Sequence, residues 1–450
     1  MMSLDDLIST AETVVKKTLG LGADEAECYL SRQRTVEVEV NGDLVTVNEG
    51  ETVGAGIRAT IGRRVGFASV STIESEKLYA SADRAVSLAR VRPEDPKFRH
   101  LPDPVKRPSK SGIFDERVES LGPAQLIDGS HKALAEARSH RELSFVYGSF
   151  LANTWMFAVA NSRGVNCGDR RTAMDGYISC KASSKNEERT GSDLIISRSL
   201  VTYDGLGESA AKRAISSLGS QRLDPIELPV IFDNHTSTLF TMLLGYGISA
   251  RSVQEKRSAL EGKLGQGVAS PNVTIVDDAE MADGIRTAAY DDEGVPTMRK
   301  PIIEDGVLKT YLYDSYSAHL EGRESTGNGL RQAREPYKAL PQPSPINYHV
   351  KPGSKTLDAM IRETDRAVLA RYELMGAGHS NWLTGDFSVV ATNAFLIEKS
   401  EVKHPLRPTT VAGNVYEALK NVVEVGSDLR LDGQGKVPSL KIARLKCGTG

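Results

Sequence analysis

Residues 35–40 read TVEVEV, a strict alternation that places three valines on one face of a strand and polar side chains on the other. Asn41-Gly42 follows at once, the dipeptide best suited to the positive φ angles of a two-residue hairpin turn, and residues 44–47 return in the same pattern. The first sheet is therefore antiparallel. Helical periodicity flanks it. Leu4, Leu7, Ile8, Ala11, Val15 and Leu19 recur at helical spacing behind a Ser3 cap and stop at Gly20 and Gly22, and a second amphipathic stretch covers residues 74–90.

Further along, residues 54–61 and 65–70 pair around Gly62-Arg63-Arg64, residues 93–108 form a Pro- and charge-rich connector, and a helix is expected over 123–139. Strand segments at 143–151, 156–161 and 174–182 follow, two of them joined by the turn Asn161-Ser162-Arg163-Gly164, and a helix at 208–218 closes this half. Residues 224–229 (DPIELP) read as a linker, dividing the chain into domains 1–222 and 223–450. The second half offers a short strand at 230–232, an unusually apolar helix at 235–250, a hairpin turn at Glu304-Asp305-Gly306, helices at 356–371 and 414–423, and a last strand at 439–445. Strands and helices come in blocks, so the expected class is α+β, two domains of mainly antiparallel sheet with packed helices, rather than a doubly wound sheet.

Formal net charge is -3, which gives no basic footprint for nucleic acid, and Arg58, Arg63 and Arg64 read as a solvated strand face. No segment approaches the roughly 18 apolar residues of a membrane span. The first residues are acidic and amphipathic rather than a leader, so the cytoplasm is the expected compartment. Cys28, Cys167, Cys180 and Cys447 form no CxxC pair and are expected as reduced thiols, Cys28 buried and Cys447 at a frayed end.

Neither a GxxxxGK[ST] phosphate loop nor a GxSxG elbow is present. No two of the eight histidines fall at i,i+3 or i,i+4, and a metal site assembled from His235, His379 and a carboxylate ranks below ordinary satisfied histidines. Asp291-Asp292-Glu293-Gly294 lacks the alternating oxygens of an EF-hand and reads as a tight turn. The polar loop Ser325, Thr326, Gly327, Asn328 can hold a peptide or anion, or be a plain surface loop. Gly376, Gly378 and Gly385, in the stretch that starts at Leu374, suit either a close-lying peptide backbone or tight turns.

DDEGVPTMRKPIIEDGVLKTYLYDSYSA (291–318), STGNG (325–329), ELMGAGHSNWLTGDFS (373–388) and VAGNVYEALKNV (411–422) together resemble the TldD/PmbA family, also called TldD/TldE, whose members older descriptions call modulators of DNA gyrase. GAGIRATIGRRVGFAS (54–69) and the NSRG turn resemble its first domain, so the resemblance spans nearly the whole chain. It implies a two-domain α+β zinc peptidase built as a dimer. The TldD-type subunit carries HExxxH on a helix, with a cysteine near its C-terminus completing the metal site. There zinc lowers the pKa of a water that the glutamate activates.

This chain resembles the PmbA/TldE type instead. Thr241 and Tyr246 stand at the two histidine positions and Met242 at the glutamate position. No cysteine lies between Cys180 and Cys447, the latter placed beyond the last expected strand. The resemblance implies no catalytic residue, metal or cofactor in this chain, and zinc in a TldD-type partner. The expected partners are such an HExxxH paralogue in a heterodimer, or the chain itself in a homodimeric peptide-binding or scaffolding protein, together with an unfolded peptide. Ser325, Thr326, Gly327, Asn328, Leu374, Gly376, Gly378 and Gly385 are the expected cavity residues.

Overall fold

The computed structural model describes residues 3–105, 113–184 and 187–450. Part of the connector expected at 93–108 and the two opening methionines lie outside the described residues.

The TVEVEV segment belongs to the strand Glu25–Asn41, which turns through Asn41-Gly42 into Leu44–Ile61. These strands are longer than their local patterns suggest. Residues 54–61 continue the returning strand rather than starting a new one, and residues 143–151 and 156–161 fuse into one 19-residue strand, Leu143–Asn161. The sheet runs Arg64–Val70, Leu44–Ile61, Glu25–Asn41, Leu143–Asn161, Asn166–Ser184, Glu187–Ser197, antiparallel throughout.

At about 3.4 Å per residue, Glu25–Asn41 spans nearly 60 Å, long enough to serve two cores. Cys28 and Leu30 pack under the helices Leu4–Gly20 and Ser75–Val91, while Val36, Val38 and Val40 pack under Pro123–Arg138 and Leu206–Ser216. Gly66 and Gly191 let helix backbone press on the sheet; a Cβ there would lie 2.0 Å from the Ala85 carbonyl and 2.1 Å from the Ala214 nitrogen.

Side chains alternate along a strand, so Glu27 and Tyr29 point away from the helices. They face the second half of the chain, where Tyr29, Phe157, Val159, Val165 and Tyr337 form an apolar seam. That half holds a small six-stranded sheet and a larger one that closes into a ring. The ring runs Arg366–Met375, Ile226–Phe232, Leu440–Thr449, Thr409–Asn414 and Asp386–Glu398, which pairs back to Arg366–Met375.

Several expected elements change here. Residues 356–371 are not one helix: Leu357–Arg362 is helical, and Arg366–Met375 is a barrel strand whose Ala367–Ala370 stretch is fully buried. Pairing on both edges overrides its helical propensity. The 224–229 linker already enters a strand at Ile226. The apolar helix is confined to Thr238–Gly247, because residues 234–237 turn around the Asp233 carboxylate. The helix expected over 414–423 stops at Lys420. Cys447 is not frayed; it lies within Leu440–Thr449, 4% exposed, between Val411 and Ile226.

The two halves are joined by buried charge. Glu27 sits opposite Arg58 on the neighbouring strand and accepts from it at 2.5 Å, while Arg331 reaches the other Glu27 oxygen at 2.7 Å. Arg58 is therefore not part of a solvated face. It also meets Glu293 at 3.5 Å. Losing one member would leave an uncompensated buried charge. Arg331→Met is expected to lower stability by about 3–5 kcal/mol, with Glu27→Gln added to it recovering part of the loss, read from chemical denaturation midpoints.

Glu293 competes with Glu27 for Arg58 from the greater distance. Burial, then Asp314, outweigh the pull of Arg58 and, with Glu27, push Glu293 up to about 7 from its ordinary 4.5. Between those values the folded protein holds a proton that the unfolded chain has released. Its contribution is full below about pH 4.5, falls as pH rises through the window, and is lost above about 7. Burial raises Asp291 and Asp292 in the same direction. Glu293→Gln is expected to flatten this part of the decline, seen by comparing the pH dependence of melting temperature with that of the unmodified protein.

Candidate functional site

The helix Thr238–Gly247 divides by its 3.6-residue period. Leu239, Phe240, Thr241, Leu243, Leu244 and Gly247 are buried, whereas Met242, Gly245 and Tyr246 face a cavity of about 620 Å³. The cavity continues along Ser249, Arg251, Ser252 and Glu255, and is walled by Arg286, residues 342–345, Tyr348, Trp382 and Gln434. Two glycines shape this helix. A Cβ on Gly245 would stand 2.8 Å from the Tyr348 hydroxyl, and one on Gly247 would stand 2.3 Å from the Tyr416 hydroxyl.

A second cavity, about 300 Å³, lies at the seam between the halves. Tyr29, Trp155 and Arg171 come from the first sheet; Arg286, Tyr290, Asp292, Arg331 and Gln332 come from the second half. Arg286 and Gln332 line both cavities. The chain has two tryptophans, and each lines one of them.

The larger cavity is cationic. Arg251, Arg257 and Arg286 face it against the single carboxylate of Glu255, which Arg257 approaches at 3.4 Å and Arg251 at 3.9 Å. Burial, followed by repulsion from Arg171, pulls Arg286 below the usual arginine range.

Of the residues singled out in the sequence, Met242 and Tyr246 line the cavity, whereas the Thr241 hydroxyl bonds to the Thr238 carbonyl at 3.0 Å on the buried side. Ser325, Thr326, Gly327 and Asn328 lie behind the wall. Ser325 donates to the Tyr313 carbonyl at 3.1 Å, and the Thr326 hydroxyl accepts from the Tyr313 amide at 2.8 Å. Gly327, at φ +68, passes close to Pro296. Asn328 is fully buried and donates to Asp277 at 2.7 Å and to the Ser344 carbonyl at 2.8 Å, which fixes a cavity residue from the rear.

Leu374 packs on the core, Gly376 and Gly378 are exposed, and Gly385 lies under the Tyr416 ring. From that stretch, Trp382 is the residue that reaches the cavity. The 291–294 segment is a turn whose carboxylates are committed within the protein. Asp291 accepts from the amides of Glu293, Val295 and Gly329; Asp292 accepts from the Arg331 amide and the Tyr29 hydroxyl. His235 lies among Arg213, Arg371 and Arg430, which with burial hold it neutral, and His379 is exposed. Among the described residues, no three His, Cys, Asp or Glu side chains converge as a metal site.

Sequence reasoning missed Arg286, Arg171 and Trp155. No local pattern marks them; the scarcity of tryptophan, two in the chain, is the one signal that could have pointed to the last.

Three family models match in order: PmbA/TldA metallopeptidase domain 1 over residues 26–89, its central domain over 116–218, and its C-terminal domain over 225–449. The chain belongs to the PmbA/TldD family. The strands of its first two family regions share one continuous sheet. Metalloprotease PmbA of Escherichia coli O157:H7 is 26% identical over 98% of this chain and 96% of its own length. A metalloprotease TldD homolog of Haemophilus influenzae is 26% identical over 84% of this chain and 80% of its own. The structure of TldE from Thermococcus kodakarensis superposes with a TM-score of 0.88 at 26% identity, covering 98% of this chain and 100% of that one.

The family name implies a metal, and the side chains that the sequence resemblance sets against HExxxH, those of Thr241, Met242 and Tyr246, do not fit one. A threonine hydroxyl turned into the core, a thioether and a phenol are a poor set for catalytic zinc, which takes imidazole, thiolate and carboxylate. The surrounding guanidiniums further oppose a dication. Cys447 is buried within Leu440–Thr449 and lines neither cavity.

The close approach of Gly247 to Tyr416 gives a direct check on this helix. Gly247→Ala is expected to destabilise by about 1–3 kcal/mol through overpacking. Tyr416→Phe in the same chain is expected to recover most of that, because it removes a buried hydroxyl without a hydrogen-bond partner, with thermal unfolding as the measurement.

Proposed function

We propose that this chain is the non-catalytic, PmbA/TldE-type subunit of a two-subunit metallopeptidase, and that its cavities hold part of an unfolded peptide substrate. The observation that carries the reading is the pairing of a retained family scaffold with Thr241, Met242 and Tyr246 on the helix beside the cavity. A TldD-type partner bearing HExxxH supplies the zinc and the water-activating carboxylate. This chain supplies half of the dimer and a wall for the substrate.

The lining suits a peptide of relaxed sequence. Trp155, Trp382, Tyr29 and Tyr246 offer apolar faces with polar edges, and Gln332, Gln342 and Gln434 offer amides that can pair with a peptide backbone. Such a surface fits contacts that any unfolded segment can make.

The reading is tested by purifying this chain, its HExxxH paralogue and the pair, then measuring zinc and cleavage of an unfolded peptide in each. Cleavage is expected only where the paralogue is present, and at least tenfold faster in the pair. Stoichiometric zinc and cleavage by this chain alone would overturn the proposal. Within the pair, Trp382→Ala is expected to lower kcat/KM about tenfold, equivalent to about 1.4 kcal/mol of lost contact, with zinc content unchanged.

A further inference from the structure

Arg286 occupies the junction of the two cavities. Its backbone is fixed from both sides: the amide donates to Asn347 Oδ1 at 3.1 Å, and the carbonyl accepts from Arg171 Nη1 at 3.4 Å. Its guanidinium makes no ion pair among the described residues. Arg286 is half-buried where it lines the cavities, and a charge drawn back from bulk water is ordinarily paired.

The nearby carboxylates are already engaged. Asp277 accepts from Lys300 at 2.9 Å, Asn328 at 2.7 Å, and the amides of Ile346 and Asn347 at 2.7 and 3.1 Å. Asp432 accepts from the amides of Gln434 and Gly435 at 2.7 and 2.9 Å, and Asp283 is held by Lys436 at 2.6 Å. On the other side stands Arg171, a second cation without an ion pair among the described residues, and behind it Arg198, 4% exposed, whose Nε and Nη1 are buried without partners. Asp169 and Asp292 stand near Arg171, and Asp292 is itself held by the Arg331 amide and the Tyr29 hydroxyl, so the cation left facing both cavities without an ion pair is Arg286.

A second observation is independent of charge. Tyr348 lines the same cavity, is 1% exposed, and its hydroxyl has no hydrogen-bond partner. Burial keeps this phenol protonated, so it is a donor. An unused buried hydroxyl costs free energy unless a ligand engages it.

We propose that Arg286 and Tyr348 form a carboxylate-binding subsite at the junction of the two cavities, filled by an acidic group of a bound peptide. The proposal rests on the peptide-holding reading above and adds its chemical preference. A guanidinium fork matches a carboxylate through two parallel hydrogen bonds. Space extends from Arg286 in both directions, about 620 Å³ one way and 300 Å³ the other, which fits an internal aspartate or glutamate with chain continuing on either side. A terminal carboxylate would use one cavity only.

The two tryptophans, one in each cavity, make intrinsic fluorescence the readout. The full-length chain, alone and in the pair, is titrated with unfolded ten-residue peptides carrying a central Glu or Gln, each as free acid and as C-terminal amide. The Glu peptide is expected to bind at least tenfold tighter than the Gln peptide, whether or not it is amidated. Arg286→Met is expected to bring the Glu/Gln ratio to about one, and Tyr348→Phe to reduce it about threefold, each variant having an unchanged circular dichroism spectrum. Should Arg286→Met fail to fold, the Tyr348→Phe ratio and the unmodified chain's Glu/Gln ratio still decide the matter.

A preference that follows amidation instead, and is lost in Tyr348→Phe, keeps the subsite and assigns it to a chain terminus. Equal affinities for Glu and Gln peptides, free or amidated, would overturn the subsite while leaving the peptide cavity standing. No binding of any peptide, by the chain or the pair, would overturn both readings.

Discussion

Glu27 stands near the start of an inner strand of the first sheet, on the face turned away from its covering helices, and two arginines from distant parts of the chain close on it. Arg58 comes from the adjacent strand, and Arg331 from a loop 304 residues further on. Isolated, any of these charges would be costly to bury. Together they fix how the first sheet lies against the second half, since a shift would strand a charge in an apolar seam. Such an ionic core is weak evidence for added stability compared with apolar packing, but it is demanding of geometry. The smaller cavity depends on it directly: Arg331 lines that cavity, and its amide holds Asp292, which lines it too.

The larger cavity shows packing and chemistry carried by opposite faces of one helix. The helix Thr238–Gly247 keeps the packing that a cavity wall needs, with Phe240 against Phe232 and Phe387. Its cavity face presents a thioether, a glycine and a phenol, and the nearest strong charges are guanidiniums. Metal chemistry needs anionic or imidazole donors, and cationic surroundings work against it. Cationic surroundings favour an anionic group instead. Scaffold and charge are separable because the helix is held by residues on one face and used by residues on the other.

Much of the architecture was legible because it is local. The TVEVEV alternation, the Asn-Gly turn and the capped first helix depend on neighbours within a few residues, and each forms where the sequence places it. The α+β class and the family follow from such blocks and from motifs spread along the chain. Residues 356–371 misled because helix and buried strand share an apolar pattern over short spans, and only pairing on both edges of Arg366–Met375 decides between them. Arg58 misled for the same reason: its sequence neighbours Arg63 and Arg64 suggest solvent, and its partners are elsewhere in the chain.

By itself, then, the sequence determined the strand and helix blocks, the family, and the absence of imidazole and carboxylate at positions 241, 242 and 246. Those are properties of residue type and spacing. Only the tertiary structure decided that Met242 and Tyr246 face a cavity while Thr241 does not, that Asn328 works behind the wall, and that Arg286 stands between a space lined by Tyr348 and Trp382 and another lined by Trp155. These residues come from six separate stretches of chain, and no periodicity links those stretches. Their meeting is set by how strands pair and how two halves dock, and that depends on contacts across hundreds of residues.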